Sequence, residues 1–501
     1  MAKKKKKKGM FSKLTSKGII LTIQLIASAV FLGYIYVLKM LPTRYYAILI
    51  IVLIALLLLE MIWITSGARR KRRTGKGFRI FISKFVSVAL SALLIVGSVY
   101  ASQGNSFLSN ITSAFTQTRV IAVYAMKQGK INKVEDLKGK TIGVENKTSV
   151  SSITDALAQV QEKIGKEPEK KNYSDYADLA DALYKGEVDC IVADQSYLGV
   201  LETNHESFED ETKVVYKMEV QEKLEAATKT DVTENPFIVY ITGIDTYGSV
   251  NTISRADVNL VVCVNPLEKQ VLMVSVPRDT QVNLHKNGKM DKITHSAMYG
   301  INETIQTLED FLDLKVNYYA KTNFSGITNI IDALGGVEVD SPYEFTTLHG
   351  NYKIKKGVNE LNGDQALCFV RERYALPSGD FDRGKNQQRL LKAMLKKAMS
   401  PKIITNYSNI LAAVEGSFET DMSSDDIKSL VNMQLDDMAN WEMFNVQVTG
   451  DGAISYDTYS QKGKKTYITI PYKKSIQNIR KVIDKIEAGK KLTEADVKGL
   501  S

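Results

Sequence analysis

Apolar residues are concentrated near the N-terminus, in three runs at residues 18–41, 46–65 and 80–101. Each run contains a single charged side chain. About 20 residues of helix cross the roughly 30 Å hydrocarbon layer of a bilayer, so each run is long enough to span it. A cleaved signal peptide does not fit, because the first run is too long and two more follow it. The pattern therefore predicts three transmembrane helices.

Basic residues lie on one side of these predicted crossings. The tail at residues 1–17 contains the lysine run Lys3–Lys8, and a loop between the second and third helices contains Arg69–Arg73. Basic flanks stay in the cytoplasm, so three crossings place the rest of the chain outside the cell. Anionic lipid is the nearest partner for such juxtamembrane clusters, and no nucleic-acid partner is expected. The prediction is a multi-pass protein of the cell membrane with extracellular C-terminal domains.

The outer part predicts two α/β units. Residues 102–117 are small and polar, which predicts a linker, and strands alternate with helices over residues 118–222. The phrase EDLKGKTIGVENKTS in this accessory domain resembles a lobe of extracellular solute-binding proteins, but a second lobe is missing. A scaffold or partner-binding role is therefore favoured over a working ligand cleft, and both stay open.

Charged residues stand at the ends of three apolar strands in a larger unit, residues 236–490. Asp245 ends the first strand, Arg255 and Asp257 precede the second, and Arg278 and Asp279 follow the third. Charged strand ends are typical of the active-site edge of a layered α/β fold. We therefore expect a larger α/β domain with a central mixed sheet flanked by helices.

More charged residues follow in two stretches. The sequence ALCFVRERY is interpreted as a strand that would place Arg371 and Arg373 on one face. The sequence SGDFDRGKNQQRLLKAMLKKAM predicts a loop that continues into a basic amphipathic helix, with Asp380 at its start and Arg383 and Gln387 on one face. Residues 401–501 are expected to complete the same domain, with helices over residues 402–418 and 423–438. The last residues are expected to form a frayed tail.

The cysteines and histidines carry no recognisable site. Cys190, Cys263 and Cys368 are odd in number and lie far apart in apolar runs, which predicts buried free thiols and not a disulfide framework or a zinc site. The four histidines have no ligand spacing.

Five stretches together resemble the LytR-CpsA-Psr family of cell-envelope glycan transferases. They run in order from about residue 237 to 400: GIDTYGSVNTISRADVNLV, SVPRDT, DKITHSAMYG, NGDQALCFVRERY and DFDRGKNQQRLL. Three membrane helices followed by an accessory domain are similar to the capsule-linked members from Gram-positive bacteria. One position departs from the family pattern, because Asn386 stands where a second arginine is common.

The resemblance implies a phosphotransferase. It would move a glycan, either capsular polysaccharide or a teichoic-acid-like polymer, from polyprenyl pyrophosphate to peptidoglycan, with a pyrophosphatase side activity if water attacks. Membrane lipids and capsule-synthesis machinery are further expected partners, and a deep apolar tunnel near Val261 and Val274 would hold the lipid. The alternative is a membrane-anchored regulator of capsule synthesis or chain length that binds polyprenyl phosphates.

The resemblance also implies residue roles. Asp245 and Asp257 would hold Mg²⁺ or Mn²⁺, since hard cations prefer carboxylate ligands. Guanidinium groups suit phosphate oxygens, so the arginines would clamp the pyrophosphate. The set expected to bind substrate is Arg255, Arg278, Lys292, Arg371, Arg373, Arg383 and Gln387. Asp380 would assist the incoming hydroxyl. Alternatives stay open: Asp257 in a plain ion pair, Arg371 and Arg373 as solvated residues, and Lys292 as a surface lysine.

Overall fold

A computed structural model describes residues 16–39, 41–74, 78–112, 116–224, 228, 230–244, 249–398 and 416–500. The chain divides into two compact units, one of Met1–Asn110 with Ser424–Ala439 and one of Ile111–Ser423 with Asn440–Ser501. Three sequence predictions lie outside the described residues: the Lys3–Lys8 cluster, Asp245, and nearly all of the helix predicted over residues 402–418.

The described helices and strands are numbered in chain order. The α-helices are α1 (Lys17–Val37), α2 (Thr43–Thr74), α3 (Phe78–Ile111), α4 (Val150–Ile164), α5 (Tyr176–Tyr184), α6 (Leu198–Leu201), α7 (Phe208–Glu211), α8 (Ile293–Ser296), α9 (Ile301–Leu312), α10 (Phe324–Ala333), α11 (Gly363–Arg371), α12 (Asp380–Ala398), α13 (Ser424–Asp437), α14 (Lys473–Glu487) and α15 (Glu494–Val497). The strands are β1 (Thr116–Met126), β2 (Thr141–Glu145), β3 (Glu169–Tyr173), β4 (Cys190–Asp194), β5 (Thr212–Lys223), β6 (Phe237–Ile244), β7 (Ala256–Asn265), β8 (Gln270–Ser275), β9 (Gln281–Asn283), β10 (Met290–Lys292), β11 (Tyr318–Thr322), β12 (Val337–Ser341), β13 (Phe345–Thr346), β14 (Lys353–Ile354), β15 (Gly357–Leu361), β16 (Phe418–Thr420), β17 (Glu442–Gln447), β18 (Gly450–Ser455) and β19 (Thr466–Pro471).

The first unit contains three helices that are long and apolar enough to cross a membrane, at Lys17–Val37, Thr43–Arg73 and Phe78–Gln103. Two boundaries differ from the prediction. The Arg69–Arg73 cluster belongs to the last turns of α2 and is not a loop, and α3 continues to Ile111 through most of the predicted linker. Each added helical residue gains a backbone hydrogen bond, which outweighs the weak helix propensity of small polar residues.

Helix α13 was expected to complete the large domain, but it belongs to the first unit. Its Asp436 accepts from Arg44 Nε at 2.7 Å, and the side-chain amide of Asn432 donates to the carbonyl of Lys39 at 3.0 Å. The spacing of apolar residues predicted this helix but not the unit in which it packs. An apolar helix face shows that the helix is partly buried, but not which surface it covers.

The accessory domain, residues 116–224, is a five-stranded sheet in the order β3-β2-β4-β1-β5. Strands β2, β3 and β4 are parallel, while β1 runs antiparallel to both β4 and β5. Alternate residues of β1 serve two cores, because successive side chains of a strand point to opposite faces. Ile121 and Val123 pack with α4, whereas Ala122 and Tyr124 pack with α5.

The large domain is built on a six-stranded mixed sheet in the order β16-β11-β6-β7-β8-β17. Strands β11, β6, β8 and β17 run in one direction, and β7 and β16 run in the other. Helices α9 and α14 cover one face, where Val261 and Val274 lie in the main core. Leu391 of α12 packs on the other face. The predicted α/β class and central mixed sheet are therefore confirmed.

Two predictions in the large domain were wrong. The ALCFV segment is helical and belongs to α11, which Asn362 caps by accepting from Gln365 N. The final residues are not a frayed tail, because Leu492 and Val497 are buried in the main core beside α14. The three cysteines are buried and free, as predicted.

Asp421 provides a test of this fold by pH. Burial raises its pKa to about 6, although the backbone N–H of Tyr319 donates to its Oδ1 at 2.7 Å. The folded protein therefore holds this proton more tightly than the unfolded chain, and stability falls as the pH rises from about 4 to 6. Asp421→Asn should remove that fall and raise the free energy of unfolding at pH 8 by up to about 2 kcal/mol. Denaturant unfolding at both pH values measures it.

The control is Asp457→Asn, at an exposed position before β19. It should leave the dependence of stability on pH unchanged. An Asp421→Asn protein whose stability still falls between pH 4 and 6 would contradict the assignment.

Candidate active site

The carboxyl ends of β6, β8, β11 and β17 meet at one edge of the large sheet, where β7 begins. Ligands of α/β sheets bind outside the carboxyl ends of parallel strands. Asp257 is the second residue of β7, and Arg278 and Asp279 follow β8 after a two-residue connection. The topology thus brings these three charged residues, which are separated along the chain, to one edge.

Arg278 and Asp257 form the central ion pair. Both carboxylate oxygens of Asp257 lie 2.9 Å from Arg278 Nη1, and both side chains are about four-fifths buried. Burial alone would raise the pKa of Asp257, but the charges of Arg278 and Arg383 hold it well below its usual value. Asp257 therefore stays ionised, and its partner is Arg278 of the neighbouring strand end and not the adjacent Arg255.

Asp279 connects Arg278 to Lys292. The Nζ atom of Lys292 donates to Asp279 Oδ1 at 2.8 Å, and Arg278 Nε lies 3.7 Å from Asp279 Oδ2. Burial would raise the pKa of Asp279, but Lys292 and Arg278 keep it lowered. Lys292 is 14% exposed and so is not a surface lysine. Arg278 thus lies between two carboxylates, and its buried Nε has no hydrogen-bond partner in the described structure.

Asp380 and Arg383 begin helix α12 and form an ion pair with each other. Burial raises the pKa of Asp380, and the charge of Asp279 raises it further against the opposing Arg383. The helix is tied to the sheet by Gln388, whose amide donates to the carbonyls of Met273 and Val446 at 3.0 and 2.8 Å. Bonds to two neighbouring strands fix the depth at which the first turn of α12 enters the site.

Gly384 allows this close approach of α12. A Cβ at this position would lie 2.5 Å from Gln447 Nε2 and 2.7 Å from Ser275 Oγ, at the ends of β17 and β8. A larger residue would have to displace these two side chains, so glycine lets the first turn of α12, with Arg383, lie directly against the strand ends.

The other predicted residues divide into two groups. Arg255 acts on the pKa of Asp257, and Arg373 acts on the pKa of Arg383, so both lie close to the ion pairs. Arg371 ends α11 with its guanidinium 4.2 Å from the ring centre of Phe324, and Gln387 is half-buried on α12. The structure therefore brings together Arg255, Arg278, Lys292, Arg373, Arg383, Asp257, Asp279 and Asp380. Among the described residues, it does not bring Arg371 or Gln387 into contact with this group.

Arg371 and Arg373 do not share a strand face, because Arg371 ends a helix and Arg373 lies in the following loop. Glu372 between them is buried and accepts from the backbone of Arg373, Tyr374 and Ala375. Asn386, the departure from the family pattern, is buried and accepts from Arg389 Nη1 at 2.8 Å.

The donor type at this edge suits a hard divalent cation, since carboxylates are the ligands that Mg²⁺ prefers. Within the described ranges, however, no group of three or more His, Cys, Asp or Glu side chains could hold a metal ion. Asp257 is shared with Arg278, and the second predicted ligand, Asp245, lies outside the described residues. Asp257 thus fits as one ligand, and the described part supplies no complete set.

Two polar groups near this edge were missed from the sequence. Lys321 on β11 is buried, its Nζ donates to Thr252 O at 3.0 Å, and it lies 3.7 Å from Glu419 of β16. His295 is also buried, with Nδ1 2.6 Å from Asp291 Oδ1. The position of Lys321 inside a short apolar strand is a signal that the sequence does contain. The sequence does not show that Glu419 is the acidic residue beside it.

A family model described as LytR_cpsA_psr family matches residues 201–479, more than half of the 501 residues. The chain belongs to the LytR-CpsA-Psr family. The resemblance drawn from the sequence motifs is thereby confirmed. A second model, NMT1/THI5 like, matches residues 100–233, which include the accessory domain of this LytR-CpsA-Psr protein.

Two relatives carry the same name, polyisoprenyl-teichoic acid–peptidoglycan teichoic acid transferase TagU. The Enterococcus faecalis protein is 36% identical over 215 residues, which are 42% of this chain and 70% of that protein. A Bacillus cereus protein is 35% identical over 218 residues, 43% of this chain and 70% of that protein. The crystal structure of B. subtilis TagV superposes with a TM-score of 0.44 at 26% identity, covering 52% of this chain and 99% of that chain.

The Arg278–Asp257 pair should contribute strongly to stability. Arg278→Met leaves Asp257 buried without its partner, so we expect a loss of about 3 kcal/mol or more. Asp257→Asn combined with Arg278→Met should restore much of that loss, because no unpaired charge remains. Denaturant unfolding followed by the fluorescence of Trp441, which packs on the sheet, measures both.

Arg480→Met is the matched control. Arg480 is buried to a similar degree as Arg278, but it pairs with Asp484 and Glu487 of its own helix, whose side chains are 55% and 32% exposed. Its removal leaves no deeply buried carboxylate without a partner, so the loss should be about 1 kcal/mol or less. A double variant that is less stable than Arg278→Met would show that the pair is not the source of the loss.

Proposed function

We propose that this protein is a membrane-anchored transferase that moves a glycopolymer from a polyprenyl diphosphate carrier to peptidoglycan. One observation carries the proposal: five cationic side chains and three carboxylates lie together at the carboxyl edge of the sheet, in a chain whose relatives are named for that transfer. The cations are Arg255, Arg278, Lys292, Arg373 and Arg383, and the carboxylates are Asp257, Asp279 and Asp380. The excess of positive charge suits a diphosphate.

The membrane helices support the same proposal. A polyprenyl carrier resides in the bilayer, and three helices of the first unit are long and apolar enough to span it. The basic clusters place the N-terminus in the cytoplasm by the positive-inside rule, and three crossings then place the large domain outside. The polymer is either teichoic-acid-like or a capsular polysaccharide, and membrane lipids and capsule-synthesis machinery are the further partners in this proposal.

The reaction is a transfer at phosphorus. A peptidoglycan hydroxyl oxygen attacks the phosphorus that carries the glycan, a new P–O bond forms, and the bond to the polyprenyl phosphate breaks. Arg278 and Arg383 bind the diphosphate oxygens and neutralise the charge that develops on the leaving phosphate. With water as the attacking group, the same arrangement would give the pyrophosphatase side reaction.

Asp380 takes the proton of the attacking hydroxyl in this scheme. Burial raises its pKa, which brings the carboxylate closer to the basicity that a general base needs near neutral pH. Arg383, on the same helical turn, holds Asp380 in place through their ion pair. Asp257 and Asp245 would hold Mg²⁺ or Mn²⁺, which would supply further neutralisation of the diphosphate charge.

Arg383→Ala tests the transfer and its site. The full chain in detergent micelles is given a synthetic polyprenyl-diphosphate glycan, peptidoglycan fragments and Mg²⁺, and phosphodiester-linked product is measured. Loss of one charged donor from the diphosphate site should lower kcat by about 100-fold or more. Arg480→Ala, which removes an arginine from α14, should keep its activity.

Normal product formation by Arg383→Ala would contradict the assignment of the site. Tight binding of the lipid diphosphate by the unaltered protein without any turnover would favour a lipid-binding regulator over a transferase.

Metal removal is a separate test. If Asp257 is a metal ligand, chelation with EDTA should abolish product formation and added Mg²⁺ should restore it, because hard cations bind reversibly through carboxylates. Asp257→Asn should raise the Mg²⁺ concentration that gives half-maximal activity. Full activity in EDTA would show that the arginines alone neutralise the diphosphate.

A further inference from the structure

The accessory domain is hydrogen-bonded to the segment that leads into β7. The N–H of Thr118 in β1 donates to the carbonyl of Asn251, and the N–H of Ile253 donates to the carbonyl of Thr118, both at 2.9 Å. On the same segment, Lys321 Nζ donates to the carbonyl of Thr252. Residues 251–253 are therefore fixed between the accessory domain and the end of β11, directly before Arg255 and Asp257.

A second segment of the large domain is held in the same way. Arg119 Nη1 donates to the carbonyl of Met298 at 3.3 Å, and Ile301 N donates to Gln117 Oε1 at 3.1 Å. The side chain of Met298 is buried in the core of the accessory domain. This segment follows Lys292 and His295, so the accessory domain contacts two segments that lie next to residues of the site.

In the accessory domain, groups of the domain itself bond to the carboxylates at the edge of the sheet where a ligand could bind. At the carboxyl end of β4, Asp194 accepts from Arg119 Nη1 and Ser149 Oγ, each at 2.5 Å. At the carboxyl end of β2, the carboxylate of Glu145 accepts from the N–H groups of Lys147 and Thr148. The buried carboxylates at this edge are satisfied by the chain itself, which favours a docking role over solute binding.

Helix α6, at the same edge, contacts the active site through one glycine. A Cβ built on Gly199 would overlap the Nη1 and Cζ atoms of Arg255. The guanidinium therefore lies directly against the backbone of α6, at a distance that only glycine permits. The charge of Arg255 in turn lowers the pKa values of Asp257 and His295, so the position of Arg255 affects the electrostatics of its neighbours.

We propose that the accessory domain is a positioning element of the diphosphate site, and that Gly199 is the positioning residue that sets the guanidinium of Arg255. The inference rests on the proposed function for the identity of the anion, but not for the contact. It gives the accessory domain a role inside the reaction: its α6 forms one wall of the anion site, and β1 fixes the segment that carries Arg255.

The test measures binding of inorganic pyrophosphate to the full chain in detergent micelles by calorimetry, with Mg²⁺ present. Gly199→Ala should displace Arg255 and raise the dissociation constant about tenfold, the effect of losing one charge-assisted contact. Arg255→Ala should weaken binding at least as much. The double variant should bind no more weakly than Arg255→Ala alone, because the methyl group then has nothing to displace.

Gly129→Ala is the matched control, since it adds the same methyl group in an exposed turn whose hydrogen bonds stay within the accessory domain. It should bind pyrophosphate like the unaltered protein. The melting temperature of each variant is measured as well, and any loss in Gly199→Ala should be relieved in the double variant, where Arg255 no longer occupies the space.

Normal binding by Gly199→Ala, or losses that add in the double variant, would overturn the inference. If the unaltered protein binds pyrophosphate but forms no transfer product, the proposed function fails while the coupling is still decided by the dissociation constants. If the unaltered protein does not bind pyrophosphate, both fail.

Discussion

The packing of Arg278 between Asp257 and Asp279 is the constraint on which the rest of the site depends. A guanidinium is not deprotonated in proteins, so burying it at a strand end requires carboxylates close by. These come from the start of β7 and from the residue after Arg278, which forces the two strand ends into one register. Lys292 then satisfies the second carboxylate, and its segment is drawn to the same edge.

Helix α12 supplies two further charged residues of the site. Its first turn carries Asp380 and Arg383, and its position follows from the bonds of Gln388 to two strands and from the small size of Gly384. The pKa values of the two aspartates differ in direction because their surroundings differ: cations dominate around Asp257, and burial dominates around Asp380. One carboxylate is thereby kept ionised and the other is made more basic, which is the division of roles that a transfer reaction needs.

The accessory domain contacts the large domain next to the candidate active site. The accessory domain has an α/β fold, but the buried polar groups at the carboxyl edge of its sheet are paired within the domain. Met298 of the large domain is buried in its core. The two domains share backbone hydrogen bonds at Thr118 and side-chain bonds at Arg119 and Gln117. Such directional bonds fix position more strictly than apolar contact does, because they fail when either partner shifts by an ångström.

The sequence by itself determined the fold class of this protein and many of its candidate site residues. Helix-length apolar runs predicted the membrane helices, and alternating strands and helices predicted the α/β domains. Charged residues at the ends of apolar strands marked Asp257 and Arg278, and the start of an amphipathic helix marked Asp380. Local patterns suffice for these features because hydrophobic period and strand-end position are properties of neighbouring residues. Even so, the apolar residues before Arg371 were assigned to a strand, since a short apolar run fits a buried helix equally well.

Only the tertiary structure decided which charges pair. Asp257 bonds Arg278 and not Arg255, Lys321 meets Glu419, and Arg255 rests on a glycine of another domain. These partners are separated by up to about a hundred residues along the chain. A different order of strands in the sheet would give each of them other neighbours. Ion pairing depends on distance in space, which the order of strands in the sheet sets and the spacing of residues along the chain does not.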